Sequence, residues 1–340
     1  MLDDRKAAIL RAVVEEYIDT AQPVGSAHVV KSSGVHVSSA TVRNDMATLE
    51  LEGYLAQPHT SAGRIPTEKG YRFFVDNLGA PATLRGSDAV QVRSFFDQAH
   101  GEIEQMLQDT SRLLGDLTSY AGVVVGAPPA EATMRSVQVV GLTSTSAVVV
   151  AVLSNGAVEK HSVDLTQGGK VLDGGVGDDR VAAASAHLAA HLIGVVRSGR
   201  MPVPKTGDPA TDALCTLAVK ALGADPTDDP DQVFVGGTSR IASAFDAIET
   251  VREVLGILEQ QYVVVTLLRD VIDRGLQVAI GTETGMAPLA DCALIVSPYQ
   301  VEGQPAGTIG VLGPARMDYP QALAAVAVVS HRLSQRLSEG

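Results

Sequence analysis

Cysteine is scarce in this chain of 340 residues: Cys215 and Cys292 stand alone, with no CxxC and no Cys/His cluster around either. That argues against a disulfide scaffold and fits a reducing cytoplasm, with both thiols buried. Long hydrophobic runs are missing too. No stretch of about 18 uncharged apolar residues occurs, and the opening MLDDRKAAIL lacks a basic region followed by an apolar stretch and a small-residue cleavage site. Neither a membrane span nor secretion is expected. Positive charge is in deficit: 26 Lys and Arg against 39 Asp and Glu leave −13, which argues against a general polyanion binder. Catalytic patterns are absent as well. There is no HExxH, GxGxxG or GxxxxGK[ST], and no assignable Ser/His/Asp or Cys/His arrangement, so neither an enzyme nor a cofactor is expected.

What is present is a folding sequence, 45% hydrophobic and 19% charged, long enough for two or three domains of about 150 residues each. The acid is unevenly placed. Residues 1–78 carry eight Lys/Arg against ten Asp/Glu, net −2, while the rest carries 18 against 29, net −11. A local DNA-binding surface is therefore possible in the first segment, with a remainder that repels DNA.

Residues 3–20 read as a helix with Ile9, Leu10, Val13, Val14, Tyr17 and Ile18 on one stripe. Pro23 and Gly25 end it. Ser26 can cap a short second helix to Lys31, Gly34 permits a sharp turn, and Ser38 or Ser39 can cap a third helix to about Glu52. Tyr54–Pro58 and Arg64–Pro66 flank HTSAG and predict a hairpin, the wing of a winged helix, before a helix from Thr67. Residues 79–88 read as a linker and 88–120 as helical, with Ile103, Met106, Thr110, Leu113 and Leu117 on a seam that packs on its own domain or in an intermolecular coil. Strands are expected at 137–142, 147–153 and 158–163, the last two joined at Asn155-Gly156. Residues 167–245, rich in Gly, Ala and Asp, read as an insertion holding two helices and Val233–Val235. Helix 246–261, the apolar run YVVVTLL, strands at 276–280, 293–297 and 308–312, and a final helix from Tyr319 complete an α+β portion.

On the third helix Val42, Met46 and Leu49 share the inward face, leaving Ser39, Ala40, Thr41, Arg43, Asn44, Ala47 and Thr48 toward a partner. Small residues allow close approach to a major groove, while Arg43 can bond guanine and Asn44 adenine. A solvated face is the alternative. His59, Thr60, Ser61 and Arg64 of the wing, with Lys69 and Arg72 beyond it, suit phosphate or minor-groove contact. Arg64 has a second reading, a pair with Glu68. His187 and His191 lie four apart on a helix but lack further ligands, so no metal is expected; Gly236-Gly237-Thr238 and the 168–177 glycines read as turns rather than phosphate loops.

SSATVRNDMATLELEGYLAQPHTSAGRIPTEKGYRFFVD at 38–76, VAIGTE at 278–283 and GPARMDY at 313–319 together resemble the heat-inducible transcription repressor family HrcA, in which Thr is usual at the position of Ala315. The resemblance covers essentially the whole chain. It implies an α+β multidomain protein: a winged helix-turn-helix over 1–78, a GAF-like domain over 79–166 and 246–340, and an inserted dimerisation domain over 167–245. It further implies a dimeric, cytoplasmic repressor of chaperone operons that binds an inverted-repeat operator of the CIRCE type on double-stranded DNA, loses repression on heat shock, and is kept active by the chaperonin GroEL. A ligand-responsive regulator with a small-molecule site in the GAF-like domain is the rival expectation. GPARMDY has its own local reading: Gly313-Pro314 ends a strand and Asp318 caps the last helix ahead of Pro320, a structural role for Arg316 and Asp318 rather than a ligand site.

Overall fold

The computed structural model describes residues 2–31, 35, 37–59, 62–79, 83–98, 103–126, 132–143, 145–154, 158–167, 170–171, 177–197, 201–223, 233–245 and 247–339. Gly34, Thr60, Ser61, Asn155-Gly156, residues 225–232, Asp246 and most of the 168–177 glycine stretch lie outside them.

The first segment folds in the expected order, α1 (Asp4–Thr20), α2 (Ser26–Val29), α3 (Ser39–Leu51), an antiparallel hairpin of β1 (Leu55–Ala56) and β2 (Ile65–Pro66), then α4 (Glu68–Asp76). Ser26 does not cap α2, however: Gly25 holds that position without a side-chain bond, and the helix stops short of Lys31. Asp3 caps α1 by accepting from the Lys6 amide, and Thr67 caps α4 through the Gly70 amide. Two more helices follow, α5 (Gly86–Gln98) and α6 (Ile103–Thr118), so helix begins inside the expected 79–88 linker.

Among the described residues the central sheet has five strands, β3 (Ala121–Gly126), β9 (Val233–Gly236), β10 (Val278–Ile280), β11 (Cys292–Val301) and β12 (Gln304–Pro314). Their order is β10-β11-β12-β3-β9, every neighbour antiparallel. Alternate residues enter two different cores. Val124, Ala293, Ile295 and Val311 face α6 and the last helix, α12 (Tyr319–Glu339). Val123, Cys292, Leu294 and Val296 face α9 (Thr238–Ala244), α10 (Ile248–Leu258) and α11 (Gln261–Asp273). YVVVTLL lies in α11, where Val264, Val265, Leu267 and Leu268 are buried against the sheet. The seam of α6 likewise packs on its own fold, with Thr110, Leu113 and Leu117 buried.

The organisation of the middle segment corrects the expectation. β4 (Met134–Thr143), β5 (Ser146–Leu153) and β6 (Val158–Asp164) pair among themselves as a separate three-stranded sheet, apart from the central one, and the short β7 (Thr166–Gln167) and β8 (Lys170–Val171) pair with each other. Helices α7 (Asp178–Leu192) and α8 (Pro209–Leu222) cover one face, and a single buried cluster runs from Ala132 to Leu222. The boundaries at 167 and 245 thus do not separate the units: the strands before 167 share a core with the helices after it, whereas Val233–Gly236, ahead of 245, pairs with β3 of the central sheet. Strand propensity marks these segments, but pairing is decided by partners far away in sequence.

The first segment also packs on the rest. Ile9, Leu49 and Phe74 belong to the same buried cluster as Val311, Tyr319 and Val329, so the head is joined to the body by core as well as by chain.

Candidate nucleic-acid interface

Ser38 caps α3, its hydroxyl 3.2 Å from the Thr41 amide, while the Ser39 hydroxyl bonds that of Ser26 at 2.9 Å and ties α3 to α2. Val42, Met46 and Leu49 are buried, as their spacing requires, and Asp45 is buried beside them. Arg5 of α1 reaches Asp45 with Nε at 2.8 Å and a second guanidinium nitrogen at 3.2 Å, so the carboxylate that would otherwise be costly to bury carries a two-toothed partner. The opposite face is open. Ala40, Arg43 and Asn44 are exposed; Thr41, Ala47 and Thr48 are half-buried. Thr41 shares a hydrogen bond with the Ser38 hydroxyl, and Thr48 donates to the Asn44 carbonyl, which leaves Arg43 and Asn44 as the long polar side chains of that face.

The hairpin is anchored rather than free. Arg64 exchanges both backbone hydrogen bonds with Val24 at 2.9 Å, and its Nε lies 2.8 Å from the Glu50 carboxylate of α3, with the N–H not aimed at that oxygen. Glu68 is not its partner. The side chain that was expected either to reach phosphate or to pair with Glu68 is three-quarters or more covered and fixes the hairpin to α3. His59 at the tip is exposed. Lys69 is exposed as well, with Nζ donating to the Glu52 carbonyl at 2.8 Å and lying 4.3 Å above the Tyr54 ring.

Arg72 does not join this surface. It turns to the body, donating from Nε to Glu283 at 2.9 Å and from a terminal nitrogen to the Val278 carbonyl at 2.7 Å, with a further contact to Glu283 and a longer one to Asp76. The partner lies 211 positions away, beyond any local pattern. Arg5–Asp45 and Arg64–Glu50 were likewise invisible in the spacing.

The other constellations resolve into structure. The rings of His187 and His191 are tilted against each other with centroids 4.5 Å apart, one ring nitrogen of each being hydrogen-bonded to a backbone carbonyl, and no group of three or more His, Cys, Asp or Glu among the described residues could hold a metal ion. Gly236 is a packing contact: a Cβ there would lie about 2.4 Å from the backbone of Arg112, so α6 rests directly on the strand. Cys215 and Cys292 are buried in different clusters, and burial pushes the Cys292 thiol up to about 12, away from nucleophilic chemistry. Asp318 caps α12, accepting from the Gln321 amide at 3.0 Å, and Arg316 donates to the Ala244 carbonyl. No helix among the described residues is long and apolar enough to cross a membrane.

Residues 104–323 match the family described as HrcA protein C terminal domain. A heat-inducible transcription repressor HrcA from Nocardioides sp. is 36% identical over 342 residues and covers 100% of both chains. One from Rhodococcus jostii is 36% identical over 353 residues, covering 99% of each, and one from Brevibacillus brevis is 33% identical, covering 99% of this chain and 98% of its own. A crystal structure described as that of a hypothetical protein superposes with a TM-score of 0.65 at 23% identity, over 100% of this chain and 99% of that one, a likeness of fold.

Proposed function

Since the chain belongs to the heat-inducible transcription repressor HrcA family, and is a negative regulator of heat-shock transcription rather than an enzyme, we propose that α3 enters the major groove of an inverted-repeat operator and reads it through Arg43 and Asn44. The observation that carries this reading is that both side chains are exposed on a helix whose opposite face is buried and tied down twice, at Arg5–Asp45 and near Arg64–Glu50. Ser39, Ala40, Thr41, Ala47 and Thr48 allow close approach beside them. His59, Thr60, Ser61 and Lys69 supply phosphate contacts around this groove, Arg64 holds the hairpin in place, and Arg72 takes no part.

An inverted repeat calls for two heads, and in this reading the protomers dimerise through the middle unit, 132–222. Among the described residues its sheet is covered by helices on one face only. The other face carries Val148, Val150 and Val152 of β5 half-buried, flanked by exposed Val140, Leu142 and Val158, an apolar surface of the kind that pairs with a copy of itself. The winged head, the GAF-like central sheet and this inserted unit act together in the cytoplasm, where the chromosome lies. Warming releases the operator by loosening the fold, and the chaperonin GroEL restores it.

Operator titrations test the readout. Arg43→Ala and Asn44→Ala each lose about 1–3 kcal/mol of discrimination at one base pair while thermal stability stays unchanged. Unchanged operator binding by both variants would remove α3 from the interface.

A further inference from the structure

Two charged side chains of α4, one helical turn apart, meet one short turn of the body. Glu68 accepts from the Thr282 amide at 3.1 Å and from the Thr282 hydroxyl at 2.7 Å. Arg72 grips Glu283 and the Val278 carbonyl. Glu283 is itself held, accepting from the Ile280 amide at 2.9 Å, while Arg274 donates to its carbonyl at 2.7 Å. Gly281 has φ +55°, and a Cβ there would lie about 2.2 Å from a Glu68 carboxylate oxygen, so the turn is shaped to the incoming side chain. Behind these polar contacts Tyr71 and Phe74 of α4 lie 6.1 and 6.4 Å from the ring of Tyr319. The end of the segment at 38–76, VAIGTE at 278–283 and Tyr319 of GPARMDY are therefore three sides of one junction.

The geometry points to Glu68, Arg72, Thr282 and Glu283 as positioning residues for operator binding: an orienting lock that sets the angle of each DNA-reading head on the body, and through it the half-site spacing the protein accepts. The inference rests on the reading of α3 and of the dimer given above. A chain connection alone leaves a head free to swivel. Tyr71, Phe74 and Tyr319 supply adhesion, but apolar contact is non-directional, whereas a guanidinium fork on a carboxylate and a carboxylate on an amide and hydroxyl pair have directions. With the two charges on consecutive turns of α4, rotation or sliding of the helix breaks at least one. The lock touches no base and no phosphate, so its effect appears only where two heads must engage at once.

Two measurements test it on the full chain, with Glu283→Gln and Glu68→Gln as conservative variants. The first needs no DNA. Spin labels placed at Leu51→Cys and Tyr262→Cys, both strongly exposed in the native protein, and diluted with unlabelled chain so that distances within one protomer are read, give a narrow distribution in the otherwise native protein and a broad one in either lock variant. The second titrates half-site duplexes and inverted repeats whose spacing is changed by one or two base pairs. The lock variants lose roughly tenfold at the preferred spacing, flatten the spacing dependence, and keep native half-site affinity. A distance distribution as narrow in both variants as in the native protein would overturn the proposal, as would an unchanged spacing profile. Loss of half-site affinity in a variant that still melts normally would assign these residues to DNA contact instead, and overturn it too. If the native protein binds neither duplex, the reading of α3 fails while the distance measurement still decides the lock.

Discussion

The two larger sheets of this protein are built from similar apolar strands and end in opposite situations. The central sheet is covered on both faces: β3 is buried at every position, and β11 sends Leu294 into one core and Ile295 into the other. In the three-stranded sheet β5 alternates strictly, Val149 fully buried against α7 and α8 and Val150 half-buried on the side that no helix among the described residues covers. Two-sided burial makes a sheet a scaffold with nothing left to offer. One-sided burial leaves a surface, and an apolar one asks for a partner.

The largest effect that sharpens this contrast is expected at Leu294→Ala, which opens a cavity between the central sheet and α10–α11 and costs about 2–5 kcal/mol in chemical denaturation. Val150→Ala, one heavy-atom step away in chemistry but on the uncovered face, stays within about 1 kcal/mol for the isolated protomer. Equal losses at the two sites would show that the outer face is covered in solution even without a partner.

Next in size, Val150→Asp places a charge in the middle of that face. Light scattering at micromolar concentration is expected to report half the native mass with unchanged far-ultraviolet circular dichroism. Affinity for a full inverted repeat falls by about 10²-fold, because the second head is no longer delivered at high local concentration, and half-site affinity holds. A variant that keeps the native mass would move the protomer contact away from the three-stranded sheet.

The smallest effect is local. Asp208 caps α8, the helix covering the other face of that sheet, and hydrogen bonds from the Thr211 hydroxyl and amide hold its carboxyl below the ordinary 3.8. A carboxyl depressed in the folded state stabilises above its unfolded value and ceases to do so as pH falls below 3.8 toward the folded value. Thermal melts of Asp208→Asn and the native chain are therefore expected to differ slightly near neutrality and to converge as pH falls below 3.8 and the folded-state carboxylate takes up its proton. A gap that widens on acidification would contradict the cap.

How legible these features were depended on how local their causes are. The buried stripe of α3, the Ser38 and Asp318 caps and the position of the β1–β2 hairpin rest on spacings of three or four residues or on a single hydrogen bond to a near amide, and all were readable in advance. β3 was not: AGVVVG is buried on both faces, so no polar residue marks its alternation. Nor did SAVVVAVL reveal which face of β5 would be covered, since both are apolar. Arg72 looked like a phosphate ligand because its partner Glu283 lies 211 residues away.

By itself, then, the sequence determined the helices of the first segment, the Ser38 and Asp318 caps, the exposed Arg43 and Asn44, and through three segments the family, while α9 and the helical state of YVVVTLL in α11 went unread. Only the tertiary structure decided that the middle strands leave the central sheet, that Arg64 is held at α3 rather than free at the hairpin, and that Arg72 and Glu68 turn to the body at Val278–Thr284. The physical reason is range. Helix periodicity and capping are satisfied within one or two turns of chain, while strand pairing and ion pairing choose among every compatible surface in the molecule, a choice made only when burial brings distant segments together.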